Sequence, residues 1–157
     1  MRRVVVTGIG LLSSIGSEKK DIWNNLLNGK SGIKKIKKFN TDEFTCKIAG
    51  YISNNEDDDN YFDINSHLDL REIKRNDRFI QYGIVAAKMA VEDSGIKDLN
   101  EEDKLRTGVI VGSGIGGLET IYNGSLTIKK NGPRKLSPFF IPSSLINLLS
   151  GQISIKY

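Results

Sequence analysis

Cysteine and histidine are almost missing from this chain, which has one of each, Cys46 and His67. A single thiol excludes an internal disulfide and any cysteine-based zinc site. A single imidazole excludes a histidine-rich metal centre, so no metal or cofactor is expected. No apolar run approaches the roughly 18 residues that a membrane-spanning helix needs. The start is basic and then apolar (Arg2-Arg3-Val4-Val5-Val6), but Gly8 and Gly10 break it before a signal-peptide core can form. A cytoplasmic protein follows. The net charge of +4 suits an acidic partner. The basic residues are not interleaved with aromatics as a single-strand-binding face requires, so no nucleic-acid partner is expected.

What is present is the composition of a globular domain: 157 residues, 38% hydrophobic and 27% charged. Val4-Val5-Val6 before a glycine turn predicts a buried strand over 3–8. Ser17 is a candidate cap for a short helix carrying Ile22, Trp23, Leu26 and Leu27, stopped near Gly29. From 30 to about 62 the periodicity fades into a surface excursion with opposite charge blocks and an edge strand near Lys47–Ile52. Asp77 can cap a long helix carrying Phe79, Ile80, Ile84, Ala87, Met89, Ala90 and Val91, with Gly95 at its end. Its small residues Gly83, Ala86, Ala87 and Ala90 allow a neighbour to approach its backbone. Residues 107–112 predict a second fully buried strand, and helices follow over about 118–129 and from Pro142 onward. The last helix reaches Tyr157 without a terminator, which reads as a truncated pattern. Buried strands alternating with helices imply an α/β architecture.

Several motifs suggest chemistry and fall short of it. Gly8-Ile9-Gly10 and Gly112-Ser113-Gly114-Ile115-Gly116-Gly117 resemble pieces of a dinucleotide fingerprint, but no acidic residue stands where the ribose partner belongs. Gly29-Lys30-Ser31 has Asn24 where a phosphate-binding loop needs glycine. Cys46 has no base near it in sequence and reads as an inert, partly buried thiol; His67 reads as a surface histidine. Arg71, Lys74 and Arg75 open the long helix, and three cations there oppose the macrodipole; from the residues alone this is either a solvated charged face or a docking site for phosphate or carboxylates.

Five collinear segments together resemble the β-ketoacyl-acyl carrier protein synthases, type II branch. They are Arg3-Val-Val-Val-Thr-Gly-Ile-Gly10, Asp77-Arg-Phe-Ile-Gln-Tyr-Gly83, Gly112-Ser-Gly-Ile-Gly-Gly-Leu118, Gly132-Pro-Arg-Lys-Leu-Ser-Pro-Phe-Phe-Ile-Pro-Ser143 and Ser150-Gly-Gln-Ile-Ser-Ile-Lys-Tyr157. The resemblance implies a thiolase-like fold, an α-β-α-β-α sandwich of two related halves, of which 1–157 would be part of the first. It implies a cysteine that takes an acyl chain from acyl carrier protein, and two histidines that assist decarboxylation of malonyl-acyl carrier protein before condensation, without a cofactor. In that family the cysteine lies beyond the position of Tyr157 and both histidines in the second half. Neither Cys46 nor His67 matches them, so this chain alone is expected to be inactive. The resemblance further places Arg71, Lys74 and Arg75 on the carrier-docking helix, with Arg134 and Lys135 near the same rim. It matches Ile115 to the gate of the acyl pocket and Phe140 to a pocket residue near a two-fold axis, with a homodimer packed across Pro138–Leu149. Two other readings stand beside it: a non-catalytic partner like a chain-length factor, and a nucleotide-binding α/β domain.

Overall fold

The computed structural model describes residues 2–59, 61–96 and 98–157. At its centre lies the helix whose cap was legible in the sequence. α1 spans Lys19–Leu27, α2 Leu70–Arg75, α3 Arg78–Ser94, α4 Glu101–Arg106, α5 Leu118–Asn131, α6 Phe140–Ser144 and α7 Asn147–Lys156. β1 (Ile33–Lys35) pairs antiparallel with β2 (Ile48–Gly50), with Lys34 opposite Ala49. β2 is the strand expected near Lys47–Ile52, and the pair closes the base of the 30–62 excursion.

α3 begins because the Asp77 side chain accepts the Phe79 N–H, and it stops because Gly95 takes the left-handed conformation (φ 73°) that a Cβ disfavours. Ile80, Ile84 and Val85 on α3 are fully buried and join Phe62, Leu68, Leu149 and Ile153 in one core. The small residues of α3 act as predicted. A Cβ on Gly83 would lie 2.5 Å from Leu149 Cδ2, so glycine is what lets α7 sit on α3. On another face of α3, Gly8 and Gly10 lie so close to the main chain at Ala86, Ala90 and Ser94 that a methyl on either would overlap backbone atoms. The Asp93 carboxylate holds the same segment by accepting the Ile9 N–H at 2.9 Å while pairing with Lys19.

Three expectations are corrected. The segments 3–8 and 107–112 are not strands here: Val4 is 95% and Ile110 99% exposed. A strand buried on both faces needs lateral partners and two covering layers; among the described residues Val4, Val5 and Val6 are all exposed, and 107–112 has one covered face. Val109 and Val111 pack on the core while Ile110 between them points outward, which is the period-2 alternation of a half-covered extended chain. Second, the predicted long helix with three cations at its start is two helices, because Asn76 is extended (φ −121°, ψ 137°) between α2 and α3. Lys74 and Arg75 therefore fall in the last turn of α2, where the macrodipole favours cations, and the argument from an opposed dipole does not hold for them; only Arg71 lies in a first turn. Third, Glu18 rather than Ser17 precedes α1, without a side-chain cap. The terminal apolar helix is likewise divided, with Leu145 and Ile146 between α6 and α7.

Candidate functional site

α2 is a short helix with a strong start. Asp69 accepts the N–H groups of Arg71 and Glu72, both at 2.7 Å, and the Glu72 carboxylate returns a bond to the Asp69 N–H at 3.1 Å. Those N–H donors, Glu72 first and Arg71 next, hold the Asp69 carboxyl below the usual carboxylate range. The cap spaces three cations along one turn and a half, and Arg71, Lys74 and Arg75 are all exposed.

The Arg75 guanidinium lies over the Phe139 ring, 4.7 Å from its centroid. This contact brings α2 to the segment that begins at the 3-10 turn Pro133–Lys135, where Arg134 and Lys135 are exposed. Between the two runs a groove of about 570 Å³. Lys74 and Lys135 stand along it, and Ile73, Leu136, Phe139 and Phe140 supply apolar lining. Thus Lys74 and Lys135 line one concavity, and Arg75 adjoins it through Phe139 without lining it. Arg71 continues the charge along α2, and Arg134 sits beside Lys135 without lining the groove.

At the inner end of the groove Asp77 serves two helices. It caps α3, and its Oδ2 accepts the Thr120 N–H at 2.9 Å and the Thr120 hydroxyl at 2.6 Å in the first turn of α5. Glu119 beside it faces Lys38 at 3.4 Å and Arg78 at 3.9 Å, tying the excursion to α3 and α5. Burial raises the Tyr82 phenol above its ordinary value nearby.

Phe140 is seated against Gly124 of α5, where any side chain would displace its ring. Ile115 is 66% exposed at the tip of the glycine loop and does not line the groove that Phe140 lines. The loop is fixed from behind: Gly116 donates to Ser113 Oγ at 3.1 Å and Gly117 to the Ser144 carbonyl at 3.0 Å. With Asp77 on Thr120 as well, these donors at the start of α5 are already used, which leaves a dinucleotide phosphate a poor site. At the other glycine turn, Gly8 and Gly10 are pressed on α3 and have no space for one.

Cys46 is exposed, not partly buried as the sequence suggested; its thiol donates to the Ile48 carbonyl at 3.3 Å. His67 is half-buried and stacks on Phe62 with ring centroids 4.9 Å apart. Among the described residues no group of three or more His, Cys, Asp or Glu is placed to hold a metal. No helix is long and apolar enough to cross a membrane among those residues. Sequence reasoning missed the Arg75–Phe139 contact, the second role of Asp77 and the Lys156 partner of Glu72, which all join residues far apart in the chain.

The whole chain, residues 1–157, matches the family model described as "Beta-ketoacyl synthase, N-terminal domain". The 3-oxoacyl-[acyl-carrier-protein] synthase 2 of Vibrio cholerae is 45% identical over 154 residues, 98% of this chain and 35% of that protein. The chain thus spans about a third of the length of the curated relative, 35%. The solved structure described as "The ishigamide ketosynthase/chain length factor" superposes with a TM-score of 0.73 at 29% identity, covering 98% of this chain and 36% of that one. A type II PKS acyl-carrier protein in complex with its ketosynthase bound to the hexaketide gives a TM-score of 0.72 at 25% identity, covering 98% and 39%.

Proposed function

Because the chain belongs to the β-ketoacyl synthase family and has its thiolase-like fold, we propose that the protein elongates fatty acids by decarboxylative condensation with malonyl-acyl carrier protein. In that reaction a cysteine thiolate displaces the carrier thiol and holds the acyl chain as a thioester. Loss of carbon dioxide from the malonyl group leaves a carbanion equivalent, which attacks the thioester carbonyl and expels the cysteine thiolate. Backbone N–H groups hold the developing oxyanion. Neither Cys46, exposed and without a base, nor His67, stacked on Phe62, takes part in this reading.

In the same reading 1–157 is part of the first thiolase-like half, and its contribution is to receive and orient the carrier. The observation that carries it is the basic frame of the groove, where Arg75 lies on Phe139 and Lys74 and Lys135 line the space between. Arg71 and Arg134 extend that frame, and acyl carrier protein is the acidic partner it suits. Such rim charges act mainly on association rate, and salt weakens them. Ile115, a branched apolar residue exposed among glycines, is the gate of the acyl pocket in this proposal, and Phe140 is the pocket residue. Phe139, Ile141, Leu145 and Ile146 are exposed along Pro138–Leu149, which supports a homodimer packed across that stretch. The protein works in the cytoplasm in this reading.

The test is to replace Arg71, Lys74 and Arg75 with Ala in the full-length protein and compare two acyl donors. The apparent KM for acyl-carrier protein should rise about ten-fold or more, with turnover of a pantetheine thioester unchanged. Equal loss on both donors, or none on either, refutes the docking role.

A further inference from the structure

We propose that Lys156 is a positioning residue for carrier docking: by holding the Glu72 carboxylate, it leaves Arg75 free to rest on Phe139. The inference rests on the docking role of α2 given above and adds a residue to it from a different helix.

α2 has the sequence LREIKR, so one acid, Glu72, stands among three cations. An acidic partner approaching this helix meets that carboxylate as a repulsive element. In the structure its two oxygens are both engaged. Oε2 accepts the Asp69 N–H at 3.1 Å, and Oε1 faces Lys156 Nζ at 2.9 Å. Lys156 comes from the last turn of α7, 84 residues away in the chain. Both side chains are about two-thirds shielded, with exposures of 34% and 31%, so solvent screens the pair less than a fully exposed one. The Lys156 charge also contributes, after the N–H donors and Arg71, to holding the Asp69 carboxyl below its ordinary range.

Helix spacing makes the competition specific. Residues three apart on a helix are neighbours, so Arg75 is the cation of α2 nearest in register to Glu72 on its C-terminal side. With Lys156 present, Glu72 is paired to the body of the protein and Arg75 stacks on Phe139 at 4.7 Å. With the ammonium removed, the freed carboxylate has Arg75 as its next partner. The helix would then lose one docking charge by neutralisation and have Arg75 drawn from its place on the rim.

The experiment uses the full-length protein with Lys156→Met, Lys156→Arg, Glu72→Gln and the Lys156→Met/Glu72→Gln pair, with the Arg71/Lys74/Arg75 triple alanine variant alongside. Gln keeps an oxygen for the Asp69 N–H, so the capping box survives. Lys156→Met should raise KM for acyl-carrier protein about three- to ten-fold without changing kcat or turnover of a pantetheine thioester. Lys156→Arg should stay near wild type. Glu72→Gln should lower the carrier KM, and the pair should return it to within about two-fold of wild type. A purely structural role predicts the opposite for Glu72→Gln, with equal losses on both donors and no rescue in the pair; either pattern overturns the proposal. If the triple variant weakens carrier binding and Lys156→Met does not, the positioning role fails alone. If the triple variant has no effect, the docking role fails and this one with it.

Discussion

Asp77 and Thr120, 43 residues apart, are joined by two hydrogen bonds to one carboxylate oxygen, from the Thr120 N–H at 2.9 Å and its hydroxyl at 2.6 Å. The other oxygen caps α3 at Phe79. One buried carboxylate therefore fixes the starts of α3 and α5 relative to each other, along the inner end of the basic groove.

Asp77→Ala should accordingly cost about 2–4 kcal/mol, the sum of a lost N-cap and of charge-assisted bonds to Thr120. Asp77→Asn keeps one acceptor oxygen, enough for one helix start only, and turns an NH2 toward the donors of the other, so it should cost less than Asp77→Ala, about 1–2 kcal/mol. Urea denaturation of the full-length proteins checks both. Equal losses in the two variants would mean that one retained acceptor oxygen does not hold either helix start.

The α3–α7 contact gives a second expectation. Gly83→Ala puts a methyl 2.5 Å from a Leu149 side chain that is itself buried in the core. Leu149 cannot swing into solvent, so overpacking should cost about 1–3 kcal/mol. Combining Gly83→Ala with Leu149→Val should recover part of that loss, measured as thermal midpoints. A double variant no better than the single would place the strain elsewhere.

The excursion carries a pH-dependent clasp. Lys37 Nζ bonds Asp58 Oδ1 at 2.5 Å, and Ser53 donates to Asp58 Oδ2 at 2.7 Å. The Lys37 bond first, then the Ser53 bond, hold the Asp58 carboxyl below its ordinary value, and the same pairing raises Lys37. A depressed carboxyl stabilises the fold above its unfolded pKa, and that contribution disappears as pH falls through the folded value. A raised lysine contributes below its unfolded pKa and loses the contribution as pH rises through the folded one. The clasp should therefore hold through neutral pH and loosen at both acidic and strongly alkaline pH. Amide hydrogen exchange over 53–62 would show it as protection that falls on acidification, and Asp58→Asn should flatten that acid limb.

Much of this architecture was legible where local chemistry decides it. Asp77 as a cap, Gly95 as a stop, the strand at Ile48–Gly50 and the close approach permitted by Gly83, Ala86 and Ala90 all follow from residue type and spacing. The Asp77 cap already starts α3 at Arg78; what was not legible is that Leu70–Arg75 forms a helix of its own, capped by Asp69 and ended by the extended Asn76. The valine-rich segments were read as strands from β-propensity, yet a strand exists only where a second chain segment accepts its bonds. The cations Arg71, Lys74 and Arg75 were legible as a cluster. Their companions Phe139 and Lys156 were not, since a pair bond across 84 residues leaves no mark in local sequence.

The seam between the first extended segment and α3 limits which substitutions the fold can accept. At Gly8 and Gly10 the nearest atoms are main-chain oxygens and nitrogens of the helix, anchored by its own ladder. A cavity lined by side chains can be refilled by choosing different ones, but here no second change on α3 makes room, because every amino acid brings the same peptide unit. Variation can therefore run freely in most of this segment while those two positions stay fixed at glycine, and random mutagenesis should return them as the least replaceable sites before Lys19.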